Sequence, residues 1–173
     1  VRDRKSGNVI QVGDAPGVHV LYSKTSQGKT ISLMTKVGQM IKNGLTGILI
    51  LSEQDKEEEL KTLLEMCGVD STKVGIITKP DMESILTTVE KAIGNYQSAG
   101  KTTNLDFIVI DSLDTLYNKA AAAKGTAQDD MALAARRLSR FFQINHGHLC
   151  DQGVRLYIIC QYRSSMDAQS EYS

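Results

Sequence analysis

The chain has 173 residues, 41% of them hydrophobic, which suits one domain with a full hydrophobic core. Twenty Lys and Arg balance twenty Asp and Glu, so overall charge steers it to neither nucleic acid nor a membrane surface, and any such contact needs a local patch. Three widely spaced cysteines, Cys67, Cys150 and Cys160, exclude a disulfide frame and read as reduced thiols of a cytoplasmic protein. No apolar run approaches membrane-spanning length, and the N-terminal Val-Arg-Asp-Arg-Lys is not followed by a signal-peptide core.

Residues 1–16 are polar and Gly-punctuated apart from Val9-Ile10-Gln11-Val12, and are expected to be a lead-in segment. An apolar run, Val18-His19-Val20-Leu21-Tyr22, then enters Ser23-Lys24-Thr25-Ser26-Gln27-Gly28-Lys29-Thr30. Beyond it Ile31, Met34, Val37 and Ile41 recur at helical spacing until Asn43-Gly44. Strand, loop and helix in this order are the setting of a phosphate-binding loop, whose backbone N–H groups and helix N-terminus face the anion. In that role Lys29 reaches the phosphate oxygens and Thr30 gives its hydroxyl to Mg²⁺. Ser23 stands where the pattern expects its first Gly, a position that serves backbone conformation more than chemistry.

Ile48-Leu49-Ile50-Leu51 is a short unalternating run, as in a strand covered on both faces. Leu60, Leu63 and Leu64 mark the next helix, which Gly68 ends, and Val74–Ile77 gives another strand. Asp81 caps a helix with core positions at Ile85, Leu86, Val89, Ala92, Ile93 and Tyr96. Phe107–Ile110 is the next buried strand, closed by Asp111. After a less regular stretch, a long helix is expected from Met131 to about Ile144, with Ala134, Leu138, Phe141 and Phe142 inward and Arg136 and Arg140 on another face. The segment His146-Gly147-His148-Leu149-Cys150 lacks the paired spacing of a zinc site and reads as a polar turn before a last strand, Leu156–Cys160. The alternation predicts an α/β fold, a mostly parallel central sheet with helices on both faces.

In such a sheet the ligand lies beyond the carboxyl ends of the strands. Glu53 follows the second strand and suits a base for water attacking a γ-phosphate, or a solvated carboxylate in the acidic run Asp55 to Glu59. Asp111 has the form of an acid holding Mg²⁺ through water, or of a helix cap. Gln161, on leaving the last strand, could feel the γ-phosphate through its amide or simply be a polar strand end.

Glu53, Asp111 and Gln161 on strand ends of a phosphate-loop domain resemble the core of RecA-type recombinases. Asp129-Asp130-Met131-Ala132-Leu133-Ala134-Ala135-Arg136 is similar to the bacterial RecA stretch running from the first DNA-binding loop into its helix. Val109-Ile110-Asp111-Ser112 and Cys160-Gln161-Tyr162-Arg163 sit where that family carries its Walker B strand and the start of its second DNA-binding loop. The resemblance covers about residues 17–163. It implies an ATP- and Mg²⁺-dependent filament on single-stranded DNA that pairs with duplex DNA in recombination and repair. Residues 23–30 and Asp111 would bind nucleotide and metal, Glu53 would activate water, and Gln161 would couple the γ-phosphate to DNA. Met131, Arg136 and Arg163 fall on or beside DNA-contact segments. Residues 17–173 are then expected to be an ATPase core incomplete at its C-terminus.

Two other readings stay open. The run from Ile48 to Leu64 also resembles the hexameric replicative helicases of the DnaB type, which tolerate a non-Gly first loop residue. A RecA-fold regulator that assembles but hydrolyses slowly is the third.

Overall fold

A computed structural model describes residues 14–24, 26–53, 56–78, 81–97, 105–113 and 127–161, with the side chains of 94–97, 127–135 and 161 outside that description. In chain order its elements are β1 (Gly17–Ser23), α1 (Lys29–Lys42), β2 (Gly47–Leu51), α2 (Glu57–Met66), a 3₁₀ turn (Ser71–Lys73), β3 (Val74–Thr78), α3 (Met82–Gln97), β4 (Phe107–Asp111), α4 (Ala127–Asp151) and β5 (Arg155–Gln161). The five described strands form one sheet in the order β1-β5-β4-β2-β3. Every pairing is parallel, so the expected α/β class is borne out.

The chain runs outward from β1 to β2 and β3, then returns through β4 and β5 to fill the gap it left. Crossovers of one hand put helices of the outward leg on one face and those of the return on the other. Accordingly α1 and α2 pack Leu33, Met34, Val37, Met40, Ile41, Leu60 and Leu64 against Leu49, Leu51, Phe107, Val109, Tyr157 and Ile159. On the opposite face, α3 and α4 pack Ile85, Val89, Ile93, Phe141 and Leu149 against Ile50, Ile108, Ile110, Leu156 and Ile158. β2, β4 and β5 alternate between the two clusters residue by residue. That is why they read as continuous apolar runs.

Two positions depend on glycine, one for space and one for backbone conformation. A Cβ at Gly38 of α1 would lie 2.3 Å from the Cys67 carbonyl oxygen, so α1 and the end of α2 meet there without a side chain between them. Gly28 has φ +75°, in the left-handed region, and begins α1.

Three expectations are corrected. Ile31 is outside the core, 52% exposed, and the inward stripe of α1 uses Leu33 and Met40 with Met34, Val37 and Ile41. The last helix starts at Ala127, not Met131, and continues past Ile144 to Asp151. His146–Cys150 is therefore helix and not a turn. Phe141, Asn145 and Leu149, each buried, make one stripe at a spacing of four that carries the helix through. The Asn145 side chain donates to the Phe141 carbonyl at 2.9 Å, so a polar residue sits in that stripe with its amide satisfied. Gly153, at φ +74°, follows the helix end.

Candidate functional site

The loop between β1 and α1 lies at the carboxyl edge of the sheet. Ser26 (φ 60°) and Gly28 (φ 75°) both take left-handed conformations, which curl the backbone into the start of α1. Among the described residues no side chain caps that helix, whose first turn also holds no acidic residue. Its N–H groups and the positive end of its dipole therefore face the loop. The Lys29 ammonium donates to the Ser23 carbonyl at 3.0 Å, the Ser23 hydroxyl at 3.2 Å and the Lys24 carbonyl at 2.7 Å. Ser23, the departure from the usual first Gly, thus contributes two acceptors to the lysine.

Strand parity brings an acid to the same place. On β4, Phe107 and Val109 face α1, so Asp111 also falls on that side. It is only 2% exposed, and its Oδ1 has no hydrogen-bond partner. Burial pushes the Asp111 carboxyl up to about 6, against a hydrogen bond from the Thr30 side chain; the Glu53 charge adds to the rise and the Lys29 charge opposes it. Four expected residues from three separate segments, Lys29, Thr30, Glu53 and Asp111, therefore act on one another. A buried carboxylate with an unpaired oxygen beside a threonine hydroxyl is a donor set for a hard cation such as Mg²⁺, so these residues fit that metal.

Register fixes the remaining strand end. Ser23 is opposite Gln161 on the β1–β5 ladder, and Ile110 is opposite Ile158 on the β4–β5 ladder. The backbone of Gln161 thus lies beside the loop and about two residues, roughly 6–7 Å, beyond the level of Asp111.

Glu53 is exposed and sits just past β2. Ser112 donates its hydroxyl to the Glu53 carboxylate. Ser52, 1% exposed, ties the ends of β2 and β4 together: its N–H donates to the Asp111 carbonyl at 2.7 Å, and its hydroxyl accepts the Ser112 N–H at 3.0 Å. Sequence reasoning gave these two serines no role. Their signal was position alone, each being the first residue after a buried strand.

The remaining expected residues divide as follows. Arg136 is exposed on α4, as is Arg140, while Arg137 pairs with Glu83 of α3 at 2.7 Å. Met131 lies within α4 and Gln161 ends β5, their side chains outside the description; Thr25 and Arg163 fall outside the described residues altogether. Lys24, Ser26 and Gln27 are exposed in the loop. A groove of about 700 Å³ between α2 and β3, floored by Leu60, Leu64, Val69 and Ile76, includes none of Lys29, Thr30, Glu53 and Asp111 in its lining. Among the described residues no group of three or more His, Cys, Asp or Glu could hold a metal, and no helix is long and apolar enough to cross a membrane.

A second polar cluster lies on the α1 face near the start of β1. Tyr157 donates its hydroxyl to Asp14 at 2.8 Å, Lys36 pairs with Asp14 and stands 5.0 Å over the Tyr157 ring, and His19 stacks on that ring at 5.1 Å. These contacts join segments far apart in the chain and left no local sequence signal.

The chain is similar to a RecA protein. It is 26% identical over 161 residues to Protein RecA of Malacoplasma penetrans (strain HF-2), an alignment covering 92% of this chain and 46% of that protein. The chain therefore spans about half the length of this RecA. No family model matches the chain. The similarity to RecA and the all-parallel sheet agree on a RecA-like α/β architecture.

Proposed function

We propose that this chain is the ATP-hydrolysing core of a RecA-type recombinase, residues 17–173 being that core. The observation that carries the proposal is the meeting of Thr30, in the first turn of α1, with the buried Asp111 of β4, inside the fields of Lys29 and Glu53. Charge balance favours a triphosphate there. Lys29 and the N-terminus of α1 supply positive potential for the phosphates. Thr30 and Asp111 would hold Mg²⁺, which when bound supplies further neutralisation of the phosphate charge. Glu53, outside the buried pocket but beside it, takes a proton from the attacking water. Gln161, next to the loop, reports the γ-phosphate to the segment that follows β5.

The similarity to RecA supports the polymer substrate. In this reading the protein assembles as a filament on single-stranded DNA in the cytoplasm, pairs it with duplex DNA and exchanges strands. Met131, Arg136 and Arg163 contact the DNA backbone or its neighbours.

The test is ATP turnover with and without single-stranded DNA. Wild-type turnover rises on DNA addition, and Glu53→Gln binds ATP normally while losing roughly 100- to 10,000-fold in kcat. Tight ATP binding with turnover indifferent to DNA would instead indicate a regulatory RecA-fold protein. A DnaB-type ring helicase is a second reading, favoured by Ser23 in the loop and by the charged α2 that follows Glu53. Electron microscopy with ATP and DNA separates long filaments from six-membered rings.

A further inference from the structure

The proposed base is an exposed side chain with three rotatable bonds, placed two residues beyond the end of its strand. General-base chemistry requires such a carboxylate to be held within a fraction of an ångström of its productive position. The backbone of β2 alone does not do this. The two serines contribute to that hold.

Ser112 is fully buried. Its hydroxyl is directed at an oxygen of Glu53. A hydroxyl–carboxylate contact is charge-assisted and belongs to the stronger class of hydrogen bond. Ser112 is itself fixed by Ser52. The Ser52 hydroxyl accepts the Ser112 N–H at 3.0 Å and lies 2.8 Å from the Ser112 carbonyl, with the Asp111 carbonyl at 3.1 Å. A serine has one hydroxyl proton, and the shorter separation assigns it to the Ser112 carbonyl. Ser52 thus grips Ser112 at both ends of the residue. It also follows Leu51 on the strand that leads to Glu53, so the grip joins the backbone bearing the base to the backbone bearing Asp111.

We propose that Ser112 is a positioning residue for Glu53, and that Ser52 and Ser112 form a clasp setting the base at a fixed offset from the metal-holding acid. This rests on the reading of Glu53 as the base.

Four variants test this in DNA-stimulated ATP turnover: Ser112→Ala, Ser112→Thr, Ser52→Ala, and Ser112→Ala combined with Glu53→Gln. Ser112→Ala is expected to lower kcat roughly 10- to 100-fold with KM for ATP unchanged, as expected for a misplaced group that acts only in the transition state. Ser112→Thr, which keeps the hydroxyl, recovers most of the rate. Ser52→Ala leaves the Ser112 hydroxyl in place but loosens it, and loses a smaller factor. In the Glu53→Gln background Ser112→Ala brings no further loss, because the group it positions is already gone. ATP affinity measured for each variant reports that the loop has folded.

Wild-type kcat in Ser112→Ala, beside an inactive Glu53→Gln, would overturn the positioning role and leave the base intact. An equal loss from Ser112→Ala in both backgrounds would also overturn it, since the serine would then act on something other than Glu53. Wild-type turnover in Glu53→Gln would remove the base itself, and the clasp proposal with it.

Discussion

The Thr30 side chain, second residue of α1, bears on the carboxyl of Asp111, the last residue of β4, and lowers its pKa although β5 lies between their parent strands in the sheet. The contact forms because α1 leaves β1 and crosses the face on which β4 displays every second residue. It places a hydroxyl, a buried carboxyl and a lysine within one small volume, and the first two predictions follow from that placement.

Lys29→Ala removes the ammonium that now holds the Ser23 and Lys24 carbonyls. In the proposed reaction the same charge binds the phosphates, so its loss is expected to lower kcat/KM for ATP by about 100-fold or more. Steady-state turnover measures this; near-normal turnover would remove the loop from the mechanism.

Asp111→Asn is expected to separate stability from activity. The Asp111 pKa is raised from 3.8 to about 6, so between those values the folded protein binds more protons than the unfolded chain. Stability therefore falls as pH rises through that window, and the penalty is complete above it. In Mg²⁺-free buffer near pH 7.5, replacing the acid by its neutral isostere is expected to raise stability by up to about 3 kcal/mol while abolishing Mg²⁺-dependent turnover. Urea melts with chelator present check the first half. The gain is expected to vanish when both proteins are melted below the window.

Asp14→Asn tests the opposite sign. Hydrogen bonds from Lys36 and then Tyr157 hold the Asp14 carboxyl below its ordinary value of 3.8, outweighing a small desolvation penalty. A depressed carboxylate stabilises the fold above its unfolded pKa and loses that contribution as pH falls through its folded pKa. The ion pair is partly exposed, so the substitution is expected to cost about 1 kcal/mol at neutral pH. Denaturant titrations at several pH values should show the difference closing below 3.8. Burial pushes the Tyr157 phenol up, so it remains a donor throughout.

Arg136→Ala concerns the DNA reading. The residue is exposed on α4 and in the family resemblance lies beside a DNA-contact segment. Affinity for single-stranded DNA is expected to fall, and the slope of log K against log salt to flatten by roughly one counterion. Melting temperature should be unchanged. An unaltered salt slope would assign Arg136 to protein contacts.

Much of this was written locally. Parity along Phe107–Asp111 follows from the strand itself, and the ends of β2, β4 and β5 were marked by polar residues after apolar runs. Capping at Asp81 was legible too: its carboxylate accepts the Ser84 N–H at 2.8 Å. The features that escaped depend on tertiary geometry. Nothing near Ile31 distinguishes it from Met34, because only the position of the sheet decides which side of α1 is covered. The continuation of α4 through His146–Cys150 was masked by its polar composition, with Asn145 breaking the apolar stripe. The order of the strands is a property of crossovers, and neither the Ser52–Ser112 grip nor the Asp14–Tyr157 pair has a signature of its own.

The place of β5 has a bearing on the width of the cleft. Had β1 and β4 been neighbours, the lysine's strand and the acid's strand would stand about 4.8 Å apart, whereas an intervening strand sets them roughly twice that distance apart. β5 works as a shim: it sets β1 and β4 on the order of 10 Å apart, so the lysine and threonine reach the acid from α1 and not from the strand itself, and the backbone of its own last residue, Gln161, ends between the two neighbouring strands.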